Sequence, residues 1–125
     1  MTKKTFIPEG TVVVGPYSPA VETGNLIYFS GQIPIDMTTG KIIEGDIKAQ
    51  TLQCFKNLSA VLEAAGVNSD DVVKTTVYLT EMSDYAAMNE VYGEYFHSPY
   101  PARTAIAVVA LPLGSKVEID VIANR

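Results

Sequence analysis

Apolar residues recur at helical spacing over residues 46–65 and predict one long helix. They form a single stripe, made of Ile47, Thr51, Cys54, Phe55, Leu58, Val61, Leu62 and Ala65. Asp46 or Gly45 can cap the start of this segment, and Gly66 stands where a left-handed C-terminal cap belongs. The stripe and the two caps therefore predict an amphipathic helix that packs one face on the core.

A second helix is predicted from Ser83 or Asp84, either of which can cap it, to about Phe96. Its inner face is formed by Tyr85, Met88, Tyr92, Tyr95 and Phe96. Asn89 lies one turn from Tyr85 and shares or borders that face. An asparagine in this position is either a core amide with satisfied hydrogen bonds or a side chain that reaches into a pocket.

The remaining apolar segments predict strands. Residues 26–30, most of them apolar, predict a strand that ends at Gly31. Residues 11–14 form a short β-branched segment that leads into a loop. Residues 36–40 predict a turn with its glycine at a positive φ, and residues 41–43 can return as a short strand.

Residues 72–80 alternate and predict a half-buried strand, with Val73, Val77 and Leu79 on the buried side. Near the end of the chain, residues 104–110 are small or β-branched and predict a strand buried on both faces.

Residues 116–123 alternate again. Val117, Ile119 and Val121 face one side, and Lys116, Glu118 and Asp120 face the other. Because only the turn 111–115 separates this strand from the one before it, the two strands are predicted to form an antiparallel hairpin.

The order of strands, helix, strand, helix and two strands predicts an α+β fold with two helices packed on one face of a sheet. The length of 125 residues suits a single domain over residues 1–125. No segment remains to cover the second face, although residues 104–110 are apolar on both sides. We therefore expect another copy of the chain to cover it, in a cyclic homo-oligomer.

Composition excludes several classes of protein. Hydrophobic residues make up 47% and charged residues 18%, as in a globular chain. A net charge of −5 argues against a protein that binds a nucleic-acid backbone. The one cysteine, Cys54, is expected to be a small buried hydrophobe. The chain shows no signal-peptide core and no run long enough to span a membrane, so we expect no membrane partner and a cytoplasmic location.

Arg103 is the first candidate for a functional residue. It follows Pro99 and Pro101, which end the preceding helix, and it stands at the start of the apolar strand 104–110. A guanidinium in such a position is costly to bury unless an anion pairs with it. The anion is either a carboxylate of the protein or a carboxylate or phosphate of a ligand, which the planar fork of arginine can hold with two parallel hydrogen bonds.

Other catalytic devices are missing from the sequence. His97 is the only histidine, so one chain cannot form a histidine-based triad or metal cluster, and no glycine-rich phosphate loop is present. The predicted hairpin would place Glu118 on the strand beside Arg103. Glu118 is then either a solvated or salt-bridged surface residue or a group that guides water at a ligand site.

At these residues the chain resembles the reactive intermediate deaminase family, also called the Rid or YjgF family. The similarity covers essentially the whole chain. It lies in the segments Gly15-Pro16-Tyr17-Ser18-Pro19-Ala20, Phe29-Ser30-Gly31-Gln32-Ile33-Pro34, Val73-Lys74-Thr75-Thr76-Val77-Tyr78-Leu79, Pro101-Ala102-Arg103-Thr104 and Val117-Glu118-Ile119-Asp120-Val121-Ile122-Ala123.

The resemblance implies a chorismate mutase-like fold with a mixed β-sheet, assembled as a homotrimer with pockets between subunits. It implies hydrolysis of 2-imino and enamine acids to 2-keto acids and ammonia, with no metal or cofactor. Arg103 would hold the substrate carboxylate and Glu118 would lie near the hydrolytic water. The remaining pocket residues would be Tyr17, Ser30, Gly31, Asn89 and Ala105, the last contacting substrate through its backbone.

Two departures and two alternatives qualify the resemblance. Ala105 stands where the family often has cysteine, which puts any thiol-dependent regulation in doubt, and Thr104 stands where serine is frequent. A trimer that binds keto acids without turnover would use the same cleft, although binding alone needs only Arg103. An RNA nuclease or translation inhibitor is the third hypothesis, and the acidic charge argues against it.

Overall fold

A computed structural model describes residues 2–125 of the protein. Its strands and helices are, in chain order, β1 (Lys4–Phe6), β2 (Ala20–Thr23), β3 (Leu26–Gln32), β4 (Ile35–Asp36), β5 (Lys41–Ile42), α1 (Ile47–Ala64), β6 (Val72–Leu79), α2 (Tyr85–Tyr95), β7 (Ala102–Ala107) and β8 (Val117–Asn124). The α+β prediction is confirmed.

The main sheet has the strand order β1-β2-β3-β8-β6-β7. All of its neighbouring strands are antiparallel except β6 and β7, which run parallel. Strands β4 and β5 form a separate two-stranded sheet. Both helices lie on one face of the main sheet, where alternate residues of β3, β6 and β8 are buried and form the core. We call the other side the helix-free face.

Helix α1 forms as the sequence predicts. The Asp46 carboxylate accepts a hydrogen bond from the Ala49 amide at 2.9 Å, which satisfies one free donor of the first turn. Ala65 ends the helix, and Gly66 follows with a φ of 77° that glycine adopts without strain. The predicted stripe is buried along its length.

Helix α2 also forms, with Asp84 at its N-cap position but without a capping hydrogen bond from its side chain. A short 3-10 turn, Met82–Asp84, precedes it, and neither Ser83 nor Asp84 makes a side-chain cap hydrogen bond. Phe96 lies just past the end of the helix and is buried. At the C-terminal end of α2, Tyr95 stacks on Phe55 of α1 with ring centroids 4.2 Å apart, and this contact packs the two helices together.

The predicted hairpin is wrong. Strands β7 and β8 are not neighbours, because β6 lies between them and pairs with both. Strand β7 follows β6 by way of α2 and pairs with it in parallel, which makes a strand-helix-strand unit. The turn at 111–115 is present as Pro112–Gly114, but it carries the chain past β6 rather than back along β7.

The prediction of a strand over 104–110 that is buried on both faces is also wrong within one chain. Strand β7 ends at Ala107 and lies at the edge of the sheet. Ile106 remains 43% exposed, and Val109 is fully exposed beyond the strand. The side chains of Ile106 and Val109 are therefore not covered inside residues 2–125.

Three smaller predictions need correction. Strand β6 carries a register shift between Val72 and Lys74, so that Val73 is 45% exposed and Thr75 takes its place in the core. Strand β3 continues through Gly31 instead of ending there. Residues 11–14 are loop, and the short strands β1 and β2 were not predicted.

No helix within residues 2–125 is both long enough and apolar enough to cross a membrane.

Candidate active site

Arg103 lies near the start of β7, and its side chain is on the helix-covered face. The register pairs it with Thr75 of β6, whose hydroxyl shares a 2.9 Å hydrogen bond with the Tyr92 hydroxyl of α2. Paired residues of neighbouring strands point to the same side of a sheet. The strand therefore directs the guanidinium toward α2.

Three side chains of α2 hold this guanidinium. Arg103 donates from Nη1 to Asn89 Oδ1 at 2.6 Å and from Nη2 to the Tyr85 hydroxyl at 2.7 Å. The Tyr92 ring lies under the guanidinium carbon, with 4.6 Å from that carbon to the ring centroid. Positions 85, 89 and 92 share one helix face because they recur at helical spacing. One helix face thus fixes both the plane and the direction of the fork.

These partners are all neutral. The ion pairs within residues 2–125 join Lys48 to Glu90 and Arg125 to Glu22, so no carboxylate there pairs with Arg103. Two of the five guanidinium N–H groups are used by Asn89 and Tyr85, which leaves donors for an anion. An open cavity of about 340 Å³ adjoins the guanidinium, lined by Asn89, Tyr92, Gly93, Tyr100, Pro101 and Arg103.

Ala105 lies two residues further along β7, on the same face as Arg103. It pairs with Val77 of β6 and packs partly against the core. We call Arg103, Asn89 and Ala105 the arginine half-site.

Glu118 lies on β8 and points to the helix-free face. Its neighbours Val117 and Ile119 are buried under the helices, so the intervening side chain faces the other way. The carboxylate lies directly over Gly31 of β3. A Cβ built on Gly31 would come within 2.8 Å of Glu118 Cδ, closer than real Cβ atoms approach their neighbours. Only a glycine at this position leaves the space that the Glu118 carboxylate occupies.

A bulge in β3 creates this contact. The register with β8 shifts between Phe29 and Gln32, which lifts Ser30 and Gly31 out of regular pairing. The Ser30 hydroxyl donates to the Ser18 carbonyl oxygen at 2.6 Å and so ties the strand to the preceding loop. Tyr17, the next residue of that loop, is 56% exposed. We call Glu118, Gly31, Ser30 and Tyr17 the glutamate half-site.

The pKa of Glu118 is raised above its ordinary value, first by burial of the carboxyl and second by the negative charge of Asp120. Asp120 is two residues along the same strand and accepts a 3.0 Å hydrogen bond from the Tyr78 hydroxyl. Burial also raises the pKa of Tyr92 beneath Arg103 and strongly raises that of the Cys54 thiol. A thiol with this pKa is protonated and inert at neutral pH.

The structure does not bring Arg103 and Glu118 together within one chain. Arg103 is level with Thr75 of β6 and Glu118 with Tyr78, on opposite faces of the sheet. Strand spacing and rise place their Cα atoms roughly 14 Å apart. The expectation that they lie on neighbouring strands is therefore wrong, because it depended on the hairpin.

Four residues that contact or flank these half-sites were not singled out from the sequence as site residues: Tyr85, Tyr92, Tyr78 and Asp120. Tyr85 and Tyr92 carried a usable signal, since both share a helix face with Asn89. Tyr78 and Asp120 carried none, because their contact depends on which strands pair. His97 is exposed, and within residues 2–125 no three His, Cys, Asp or Glu side chains are placed to hold a metal ion together.

Comparisons with known proteins agree on one family. A sequence profile described as Endoribonuclease L-PSP matches residues 9–125. A RutC family protein of Pyrococcus horikoshii is 50% identical over 100% of this chain and 99% of its own length. The 2-iminobutanoate/2-iminopropanoate deaminase of Mus musculus is 46% identical over 88% of this chain and 82% of its own. The crystal structure of RidA from a Psychrobacter species is similar with a TM-score of 0.91, at 46% identity over 98% of this chain and 99% of that one.

Proposed function

Because the chain belongs to the YjgF/Rid family, whose profile is described as Endoribonuclease L-PSP, we propose that it hydrolyses reactive 2-imino acids and their enamine tautomers to 2-keto acids and ammonia. The substrates are of the 2-aminoacrylate/2-iminopropanoate and 2-iminobutanoate class. The name of the mouse relative, a deaminase of this class, supports the proposal.

The observation that carries the proposal is the state of Arg103. Its guanidinium is held by Asn89, Tyr85 and Tyr92, yet no carboxylate of residues 2–125 pairs with it. A fork that is fixed by neutral groups beside an open cavity is arranged to receive the carboxylate of a small acid. Of the two sources that the sequence left open for the anion, the structure favours a ligand.

The complete site is proposed to combine two chains. Arg103 and Glu118 lie on opposite faces of the sheet, so one substrate cannot contact both within a single chain. A neighbouring copy can present its glutamate half-site to the arginine half-site of the first. This places each pocket between subunits, with Arg103, Asn89 and Ala105 from one chain and Glu118, Gly31, Ser30 and Tyr17 from the other.

A homotrimer is the proposed assembly, with a chorismate mutase-like arrangement of the sheets toward its centre. The helix-free face carries partly exposed apolar side chains, among them Tyr28 and Val73, and the edge strand β7 exposes Ile106. Burying these residues against a neighbour supplies a hydrophobic driving force and also covers an unpaired edge. Cyclic symmetry lets every copy use the same two surfaces.

The proposed reaction proceeds by addition of water and loss of ammonia. Arg103 holds the carboxylate and so aims the C2 carbon of the C=N bond at a water beside Glu118. The water oxygen forms a bond to C2 while the π electrons move to nitrogen. Glu118 accepts the water proton and returns it to nitrogen, which gives a neutral carbinolamine. The hydroxyl proton of the carbinolamine then moves to nitrogen, and ammonia leaves as the C–N bond breaks and C=O forms. The imine carbon is already electrophilic, so the proposal includes no cofactor.

A coupled assay tests this proposal. A serine dehydratase generates 2-aminoacrylate in situ, and we expect the protein to accelerate release of pyruvate and ammonia over the spontaneous rate. An unchanged rate, with pyruvate nevertheless bound, would overturn catalysis in favour of a keto-acid-binding trimer. Cleavage of RNA without imine hydrolysis would instead favour the nuclease.

Mixing two inactive variants tests the shared pocket. Arg103→Lys and Glu118→Gln trimers, dissociated and reassembled together at equal amounts, should regain about one quarter of the wild-type sites, because each intact half-site is drawn with probability one half. Activity that stays at the level of the separate variants would place both residues of each site in one chain.

A further inference from the structure

Glu118 has an acidic neighbour whose position is fixed. Strand pairing places Tyr78 of β6 directly beside Glu118, and Asp120 follows two residues later on the same face of β8. The Tyr78 hydroxyl reaches along the sheet and donates to Asp120 Oδ2 at 3.0 Å. Tyr78 therefore lies beside Glu118 and holds the Asp120 carboxylate in place.

The other groups around Glu118 carry no competing charge. Strand β3 contributes Gly31, which has no side chain and no charge. Helix α1 contributes Cys54 from the other side of the sheet, and burial keeps its thiol neutral by raising its pKa. Asp120 is thus the charged residue next to Glu118 within residues 2–125.

One cation shares the helix-free face but is engaged elsewhere. Lys74 of β6 donates its ammonium hydrogens to the Thr75 carbonyl oxygen at 2.8 Å and to Thr104 Oγ1 at 3.2 Å. Its strand position is level with Ile122, four residues from Glu118. The Lys74 ammonium is therefore placed toward β7, away from the pair of carboxylates.

We propose that Asp120, held by the Tyr78 hydroxyl, is a positioning residue that makes Glu118 a stronger base toward the attacking water. The inference rests on the proposed function, because it gives Glu118 the role of proton acceptor. A negative charge beside a carboxylate disfavours its ionised form and so strengthens its hold on a proton. Tyr78 contributes by keeping the Asp120 carboxylate in place, since its hydroxyl donates to Asp120 Oδ2.

The step that benefits is proton transfer from water to Glu118. General-base efficiency rises as the acceptor becomes more basic, up to the point where it is protonated at the working pH. A carboxylate in an ordinary solvated position is a weak base at neutral pH. Burial accounts for the larger part of the increase at Glu118, and Asp120 adds the smaller part.

The first experiment is the pH profile of kcat/KM for wild type, Asp120→Asn and Asp120→Glu. The acid limb reports protonation of Glu118, so it should move to lower pH in Asp120→Asn, and the plateau should fall about two- to tenfold as the base weakens. Asp120→Glu keeps the negative charge, so its acid limb should lie at the same pH as in wild type. Asp70→Asn, which removes the same charge two residues before β6 begins, is the matched control and should leave the profile unchanged. An acid limb that does not move in Asp120→Asn overturns the inference.

The second experiment needs no turnover. The carboxyl carbon of Glu118, labelled with carbon-13 and assigned by its absence in Glu118→Gln, is titrated by NMR in wild type and in Asp120→Asn. A lower midpoint in Asp120→Asn supports the inference even if the protein hydrolyses no imine, in which case only the proposed function fails. Equal midpoints reject the inference even in an active enzyme.

A variant of Tyr78 covers the case in which Asp120→Asn does not fold. Tyr78→Phe retains both carboxylates and removes only the hydroxyl that fixes one of them. We expect the Glu118 midpoint to move in the same direction as in Asp120→Asn, and by less. A folded Tyr78→Phe protein with an unchanged midpoint would remove Tyr78 from the proposal.

Discussion

The arginine half-site and the glutamate half-site lie on opposite faces of one sheet and are built in opposite ways. Arg103 is surrounded by neutral partners, two hydrogen bonds and an aromatic ring, and adjoins an open cavity. Glu118 is crowded against the backbone of Gly31 and lies near a second carboxylate. The arginine half-site holds a guanidinium ready to bind an anion, whereas the glutamate half-site raises the proton affinity of a carboxylate.

The difference shows that each region lacks what the other provides. No carboxylate pairs with Arg103, and no lysine or arginine pairs with Glu118, within residues 2–125. Charged groups left uncompensated in this way are costly unless something outside the chain completes them. A substrate carboxylate at one side and a water at the other, with a second copy joining the two, would complete both.

The largest expected effect comes from the glutamate half-site. Glu118→Gln keeps the size and hydrogen bonding of the side chain but removes the base. We expect kcat to fall about 10²- to 10⁴-fold, the usual contribution of general acid–base catalysis, with little change in affinity for a keto acid. Steady-state kinetics and product binding separate the two quantities. If affinity falls while kcat holds, Glu118 is a binding residue.

The same variant has a second, thermodynamic signature. Because burial and Asp120 raise the pKa of Glu118, the folded chain binds the proton more tightly than the unfolded chain does. The contribution of Glu118 to stability is therefore full at pH values below its ordinary pKa and is lost as pH rises through the raised value. Melting temperatures measured across this range should decline in wild type and remain flatter in Glu118→Gln.

Substitution in the arginine half-site should reduce activity almost as strongly, because it disturbs the positioning of the substrate. Arg103→Lys keeps the charge but loses the planar fork. Losing one charged hydrogen bond and misplacing another costs about 2–5 kcal/mol, which is roughly a 30- to several-thousand-fold fall in kcat/KM. Folding should survive, because the structure shows neutral groups and no protein carboxylate around Arg103.

Arg125→Lys is the matched control for this substitution. Arg125 makes a two-pronged ion pair with Glu22 and also donates to the Ala65 carbonyl oxygen at the end of α1. Its replacement should lower thermal stability and leave kcat/KM unchanged. Full activity in Arg103→Lys would mean that charge alone suffices, and loss of folding would show that Arg103 serves the fold.

An intermediate effect is expected when the glutamate half-site is crowded further. Gly31→Ala places a methyl group where the Glu118 carboxylate lies, and the carboxylate is the flexible end of its side chain. It can swing aside, so the protein should fold normally. A displacement of about 1 Å at a catalytic group can cost about 10²-fold in rate. Normal melting with unchanged activity would show that the position of Glu118 is not critical.

The sequence predicted the parts of these regions that depend on local chemistry. Helix α1 follows from one apolar stripe, the Asp46 cap and Gly66, all of which act within a few residues. The faces of Val117, Ile119 and Glu118 follow from simple alternation. These predictions need no knowledge of what lies next to the segment.

The pairing of strands could not be predicted in the same way. The apolar run of β7 does not specify its neighbour, and the short turn before β8 favoured a hairpin over the parallel pairing with β6. The bulge at Gly31 depends on β8, and the exposure of Val73 depends on a register shift in β6. The separation of Arg103 from Glu118 therefore emerged only with the full sheet.

The smallest expected effect tests whether neutral partners alone prepare the guanidinium. Tyr85→Phe removes one of the two hydrogen bonds that orient Arg103 and leaves the ring in place. A net loss of about 0.5–1.5 kcal/mol corresponds to roughly a two- to tenfold fall in kcat/KM. Tyr95→Phe is a matched control on the same helix, since its hydroxyl bonds to Ser59 and not to Arg103. Equal activities of the two variants would show that Asn89 and Tyr92 suffice to fix the fork, whereas a loss confined to Tyr85→Phe would establish that α2 prepares Arg103 for its anion before any ligand arrives.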